Sequence, residues 1–91
     1  MNKIQKLRER ILQEFPGVQI VLEDNTGVAD PDNSPWFLNM SLNGKTLGVE
    51  WLSWHPETLS FCNCGLYGCG GDITCHEISD AIEIIRFCLK A

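Results

Sequence analysis

Cys62, Cys64, Cys69, Cys75 and His76 crowd into one stretch, Cys62-Asn-Cys-Gly-Leu-Tyr-Gly-Cys-Gly-Gly-Asp-Ile-Thr-Cys-His76, interleaved with four glycines. Thiolates and imidazoles are the ligands of tetrahedral zinc, and glycines let a loop turn tightly enough to gather several sulfurs. Any four of these five side chains would complete such a site, with the metal deprotonating its thiols. The spacing is irregular: one, four and then five residues separate successive cysteines, whereas zinc knuckles usually begin with two. Neither common ferredoxin spacing is present, which sets an iron–sulfur cluster aside. Zinc is thus the cofactor to weigh against none, and none is the expectation.

A thiol-based redox protein or sensor is another reading of the same residues. Thr74 followed by Glu77 has the form of a capping box, which would put Cys75 at the first position of a helix, where the dipole lowers a thiol pKa. His76 is a poor base for it, because sequence neighbours on a helix do not face each other. There is no Cys-x-x-Cys, and an odd cysteine count argues against a disulfide framework. The plainest alternative makes Cys62 and Cys88 small buried hydrophobes and leaves the other three as reduced surface thiols. Gly68-Cys-Gly-Gly-Asp72 lacks the Lys-Ser/Thr of a phosphate loop. A calcium loop starting at Asp30 would need Gly and Glu where Pro35 and Ser41 stand. With no Ser-His-Asp set or separated carboxylate pair to assign, the expectation is a protein that is not an enzyme.

Charge says more about partners. The 91 residues carry a net charge of −5, unevenly spread. The first twelve are basic, with Lys3, Lys6, Arg8 and Arg10 against Glu9, and Arg86 and Lys90 lie near the other end. Between Gln13 and Ile85, eleven carboxylates face Lys45 alone. Such a body repels nucleic-acid phosphates and suits a basic protein. The candidate partner-binding residues are Asp24, Asp30 and Asp32 in a turn-rich loop over residues 24–35, then Glu50, Glu57 and the aromatic anchor Trp54. No apolar run reaches the length of a membrane span, and the charged start lacks the core of a signal peptide, so a reducing cytoplasm is expected.

The elements that must position these residues centre on 36–51, where two alternating apolar runs meet at Asn43-Gly44. Asn-Gly between such runs signals a type I′ hairpin, because both central residues need positive φ. With that loop, Trp36 faces Trp51, Leu38 faces Val49 and Met40 faces Leu47 on one side. Phe37 faces Glu50, Asn39 faces Gly48 and Ser41 faces Thr46 on the other. A slip of one residue would turn the apolar row to water. Ile4, Leu7, Ile11 and Phe15 mark an amphipathic helix over 2–15, stopped by Pro16-Gly17. Val18, Ile20 and Leu22 form a strand beside the one that begins at Trp36. Residues 53–57 read as a turn and 59–62 as a short strand. Ile78, Ala81, Ile82, Ile85, Cys88 and Leu89 line a final helix. The expected fold is therefore one α+β domain over 1–91: a helix, three to four antiparallel strands and a helix, both helices on one face of the sheet. An edge strand, 59–62 or 18–23, would let two copies pair as a homodimer.

The segment Trp36-Phe-Leu-Asn-Met-Ser-Leu-Asn-Gly-Lys-Thr-Leu-Gly-Val-Glu-Trp51, followed by Gly65-Leu-Tyr-Gly-Cys-Gly-Gly-Asp72, resembles a group of small uncharacterised bacterial proteins. That group shares a Val-Glu-Trp hairpin and a Tyr-Gly-x-Gly-x-Asp loop that is not cysteine-rich, which would make the turn at 67–72 the shared feature and a metal an addition. Asn33-Ser-Pro-Trp36 is similar to the Asn-Pro-Gly-Trp segment of a family of toxin immunity proteins, although its middle residues differ and that family's cysteine–tryptophan signature is missing. Together, charge and resemblance imply a small acidic inhibitor of the immunity or anti-defence kind that occludes a basic surface. The alternatives are a zinc-stabilised module and a thiol-based sensor.

Overall fold

The chain was described with a computed structural model, covering residues 2–24, 35–62 and 70–89. Helix α1 (Lys3–Glu14) starts at a capping box: the Asn2 side chain accepts from the Gln5 amide, and the Gln5 side chain accepts from the Asn2 amide, both at 2.9 Å. This satisfies two of the amide donors that a helix start leaves free. The helix ends where the Phe15 amide closes onto the Ile11 carbonyl, and Gly17 then takes a positive φ that turns the chain. Strand β1 (Gln19–Asp24) follows, then β2 (Pro35–Leu42), β3 (Lys45–Leu52), β4 (His55–Cys62) and β5 (Gly70–Cys75), and finally α2 (Ile78–Leu89).

The strands form one antiparallel sheet in the order β1-β2-β3-β4-β5. The β2–β3 register pairs Trp36 with Trp51, Leu38 with Val49 and Met40 with Leu47, as the alternation requires. Asn43 and Gly44 have φ of 55° and 79°, so the turn between these strands has the left-handed residues a type I′ turn demands. The two indoles meet edge to face, with ring centroids 6.1 Å apart.

The sheet has five strands rather than three or four, and the differences fall at its β4 side. β4 begins at His55, inside what alternation alone marks as a turn. A bulge between Trp51 and Leu52 lets Leu52 pair with His55, and the Trp51 indole donates to the Pro56 carbonyl at 2.9 Å. Pro56 costs no ladder bond to β5, which extends only as far as the Leu59–Cys75 pair. Thr74 and Cys75 belong to β5 rather than to a helix start. Ile73 opposes Phe61 and Cys75 opposes Leu59, so this segment has apolar partners on the core side that outweigh a cap at Thr74. The helix begins later, with the Ala81 amide bonded to the Glu77 carbonyl. The sheet edges are consequently β1 and β5, and 59–62 is an inner strand.

Both helices lie on one face. Ile4, Leu7, Ile11 and Phe15 of the first, with Ala81, Ile82, Ile85 and Leu89 of the second, close over Leu38, Met40, Leu47, Val49, Trp51, Leu59 and Phe61. Fully burying a side chain of this size contributes roughly 1.5–3 kcal/mol, so this single cluster dominates stability. The helices run side by side in the same direction. Arg86 meets Glu14 at 3.4 Å and lies over the Phe15 ring at one end, and Lys3 donates to the carbonyls of Glu57 and His76 at the other.

Replacing Gly44 by alanine meets no neighbouring atom, so its cost is confined to the positive φ. Gly44→Ala is expected to lower unfolding free energy by about 1 kcal/mol in a denaturant titration, with the slope unchanged.

Candidate functional site

The face of the sheet opposite the helices carries the most organised set of exposed polar groups. Alternation sends Glu23, Phe37, Glu50, Ser60 and Thr74 to this side. The registers place them in one continuous cross-strand row, each opposite the next. A half-buried phenyl ring thus sits directly between two carboxylates. A second row runs Val21, Asn39, Gly48, and Val21 is 60% exposed. Among the described residues of this face there is no lysine or arginine.

Beside Glu50 the face dips into a hollow of about 300 Å³ lined by Glu50, Leu52, His55, Thr58 and Ser60. Its polar groups are the Glu50 carboxylate, the Thr58 and Ser60 hydroxyls and the His55 imidazole, beside the apolar Leu52. The carboxylate and hydroxyls can accept from a guanidinium or ammonium group, and the neighbouring Phe37 ring offers a face for cation–π contact. Trp54 is 43% exposed on the turn between β3 and β4, and Glu57 is exposed with its carboxylate 3.9 Å from His55 Nδ1.

Of the residues expected to bind a partner, Glu50 lines this hollow, Glu57 reaches His55 of its lining at 3.9 Å, and Trp54 stands exposed on the turn that precedes β4. The backbone of Asp24 pairs with that of Trp36 at the end of β1, while Asp30 and Asp32 lie outside the described residues. Glu23, Phe37, His55, Thr58 and Ser60 are additions. Phe37 opposite Glu50 is already implied by the hairpin turn, and extending the alternation to 19–23 would have placed Glu23 beside them.

Of the cysteine-rich stretch, only the two ends lie among the described residues. Cys62 pairs with Gly70 at one end of the β4–β5 hairpin, whereas Cys75 pairs with Leu59 at the other. On β4 three residue steps separate Leu59 from Cys62, roughly 10 Å at the usual rise. His76 Nδ1 stands 3.2 Å from the Glu57 carbonyl. Cys64 and Cys69 lie outside the described residues, and among the described residues no group of three or more His, Cys, Asp or Glu is placed to hold a metal.

Cys75 also loses the helix position that would have activated it. It ends a strand, half-buried, and its thiol donates to the Glu77 carbonyl at 3.7 Å, which favours the protonated form. Burial, then the charge of Asp80, push this thiol above its usual range, against a smaller opposing pull from Lys3. Burial raises Cys88 likewise. Both shifts favour the protonated thiol over the nucleophilic thiolate. Among the described residues no helix is long and apolar enough to cross a membrane.

With the fold and this face in view, comparison with known protein families, curated proteins and solved structures finds no match to the chain. What the structure itself defines is a five-stranded antiparallel α+β fold with an acidic, aromatic-bearing open face.

Because the raised thiols keep their protons longer in the folded chain than in the unfolded one, their contribution to stability is complete below the usual thiol range. It is lost as pH rises through the folded-state values. Unfolding free energy is expected to fall on the alkaline side, and less so in a Cys75→Ser, Cys88→Ser variant.

Proposed function

We propose that this protein is a small, non-enzymatic binding module of the cytoplasm, an inhibitor of the immunity or anti-defence kind, that holds a basic surface of a partner protein against its open sheet face. The row Glu23–Phe37–Glu50, on a face whose described residues include no basic side chain, carries this reading. An arginine or lysine of the partner would enter the hollow beside Glu50, accepted by its carboxylate and by the hydroxyls of Thr58 and Ser60. Its charge would lie against the Phe37 ring, and Trp54 and Glu57 would contact the surrounding surface.

The chemistry of the face favours protein over nucleic acid, since phosphates would meet two carboxylates in a row. The chain-wide charge acts in the same direction. Eleven carboxylates against one lysine between Gln13 and Ile85 create a field that speeds encounter with a cation and weakens with salt. The likeness of the 36–51 hairpin and of Asn33-Ser-Pro-Trp36 to bacterial and immunity proteins points to the same class of role.

Tagged protein incubated with lysate of its native host at low salt is expected to retain a basic protein and release it as ionic strength rises. Glu23→Gln with Glu50→Gln should weaken retention several-fold without altering the fold, while Asn39→Ser should leave it unchanged. No retained protein at low salt, or equal retention by the double variant, would sink the reading.

A further inference from the structure

We infer that two copies of this chain pair through the free edge of β1, in antiparallel register about Val21, to make a continuous ten-stranded sheet. Among the described residues, β1 has a neighbour on one side only. It is also the strand least covered by the helices: Ile20 and Leu22 point to the helix side yet are only half-buried, and Val21 on the other side is 60% exposed. Between α1 and β1 runs a groove of about 350 Å³ lined by Gln5, Arg8, Glu9, Ile20 and Leu22. Leu12, four residues from Arg8 and three from Glu9 on the same flank of α1, is 43% exposed beside it. An edge with an apolar strip on each side is what sheets ordinarily avoid leaving bare.

The sequence of β1 specifies a second copy as the occupant. Paired residues must share a face, so only registers displaced by whole two-residue steps are allowed. Centring on Val21 sets Val21 against itself, Ile20 against Leu22 on the helix side, and Gln19 against Glu23 on the open side. Within residues 19–23 every apolar residue then meets an apolar one and each Glu23 carboxylate meets an amide donor, while Asp24 falls opposite Val18. Centring on Leu22 instead sets Val21 against Glu23 and Ile20 against Asp24. A parallel copy would stack Glu23 on Glu23, which cross-strand pairing disfavours. The charges of β1 sit at one end, so antiparallel self-pairing separates them.

The other edge lacks this specification. β5 opens Gly-Gly, α2 packs against it, and glycine-rich strands define register weakly.

The expected oligomer is a dimer of twice 10.2 kDa, measured by light scattering across a dilution series on the full chain. Val21→Lys, at an exposed position, places two ammonium groups face to face on the two-fold and should reduce the mass to that of one chain with the circular dichroism unchanged. Val21→Thr should remain dimeric. Gln19→Lys, which gives Glu23 of the other copy an opposite charge, should tighten the dimer several-fold. A wild type that stays monomeric at all concentrations, or a Val21→Lys variant that stays dimeric, overturns the proposal. A Gln19→Lys dimer no tighter than wild type overturns the register. None of these variants touches Glu50 or Phe37, so failure here is distinct from failure of the open face to bind a partner.

Discussion

The register of the β2–β3 hairpin is the constraint on which the rest of this structure depends. Asn43 and Gly44 fix it by accepting positive φ at little cost, and the apolar row from Trp36 to Trp51 makes any other register expensive. Once that row faces the helices, β1 and β4 must add their own apolar residues to the same side, and Ile20, Leu22, Leu59 and Phe61 do so. The polar face follows as a by-product. Phe37 cannot avoid standing between Glu23 and Glu50, because each is paired with it by a register that core burial dictates.

This explains why the charge asymmetry of the chain becomes a surface property. The basic residues of the first helix lie on the helical layer, where Lys3 ties the start of α1 to the carbonyls of Glu57 and His76 and Arg86 joins Glu14. These exposed ion pairs contribute little each, typically below about 1 kcal/mol, but they occupy the cations where anions are available. The open face keeps its carboxylates without such partners among its own described residues. The helical layer thus mixes cations with Glu9, Glu14, Asp80 and Glu83, whereas the described residues of the open sheet face carry carboxylates without cations.

The hairpin, the N-terminal helix with its stop, the partner of the first strand and the single-sided placement of the helices were all legible in the sequence, because each rests on local periodicity or on one turn. The fifth strand was not. Its residues, Gly-Gly-Asp-Ile-Thr-Cys, carry no strand pattern of their own, and Thr74 with Glu77 imitates a helix cap. What makes them a strand is the β4 edge, where Phe61 and Leu59 offer partners to Ile73 and Cys75, and that pairing is non-local. The start of β4 was hidden for a similar reason: a bulge and an indole hydrogen bond, neither visible in composition, let Pro56 enter a strand. The same non-local pairing sets Cys62 and Cys75 at opposite ends of the paired part of β4 and β5, which spacing in sequence does not show. For the open face, the pair Phe37–Glu50 was readable and its extension to Glu23 and Ser60 needed the neighbouring strands.

The two surfaces of interest are joined through β1. A two-fold axis perpendicular to the sheet keeps each face on its own side, so pairing at Val21 would set two Glu23–Phe37–Glu50 rows on one continuous surface, with the Glu23 residues nearest the seam. A basic partner broad enough to meet both rows would bind the second through an intramolecular step, and its affinity would exceed that of either row alone. The carboxylates closest to the axis are held apart by Gln19 of the opposing copy, so assembly would concentrate negative charge without setting like charges directly opposite each other. In this arrangement a shallow acidic face, weak as a single site, gains strength from an edge that the helices leave uncovered.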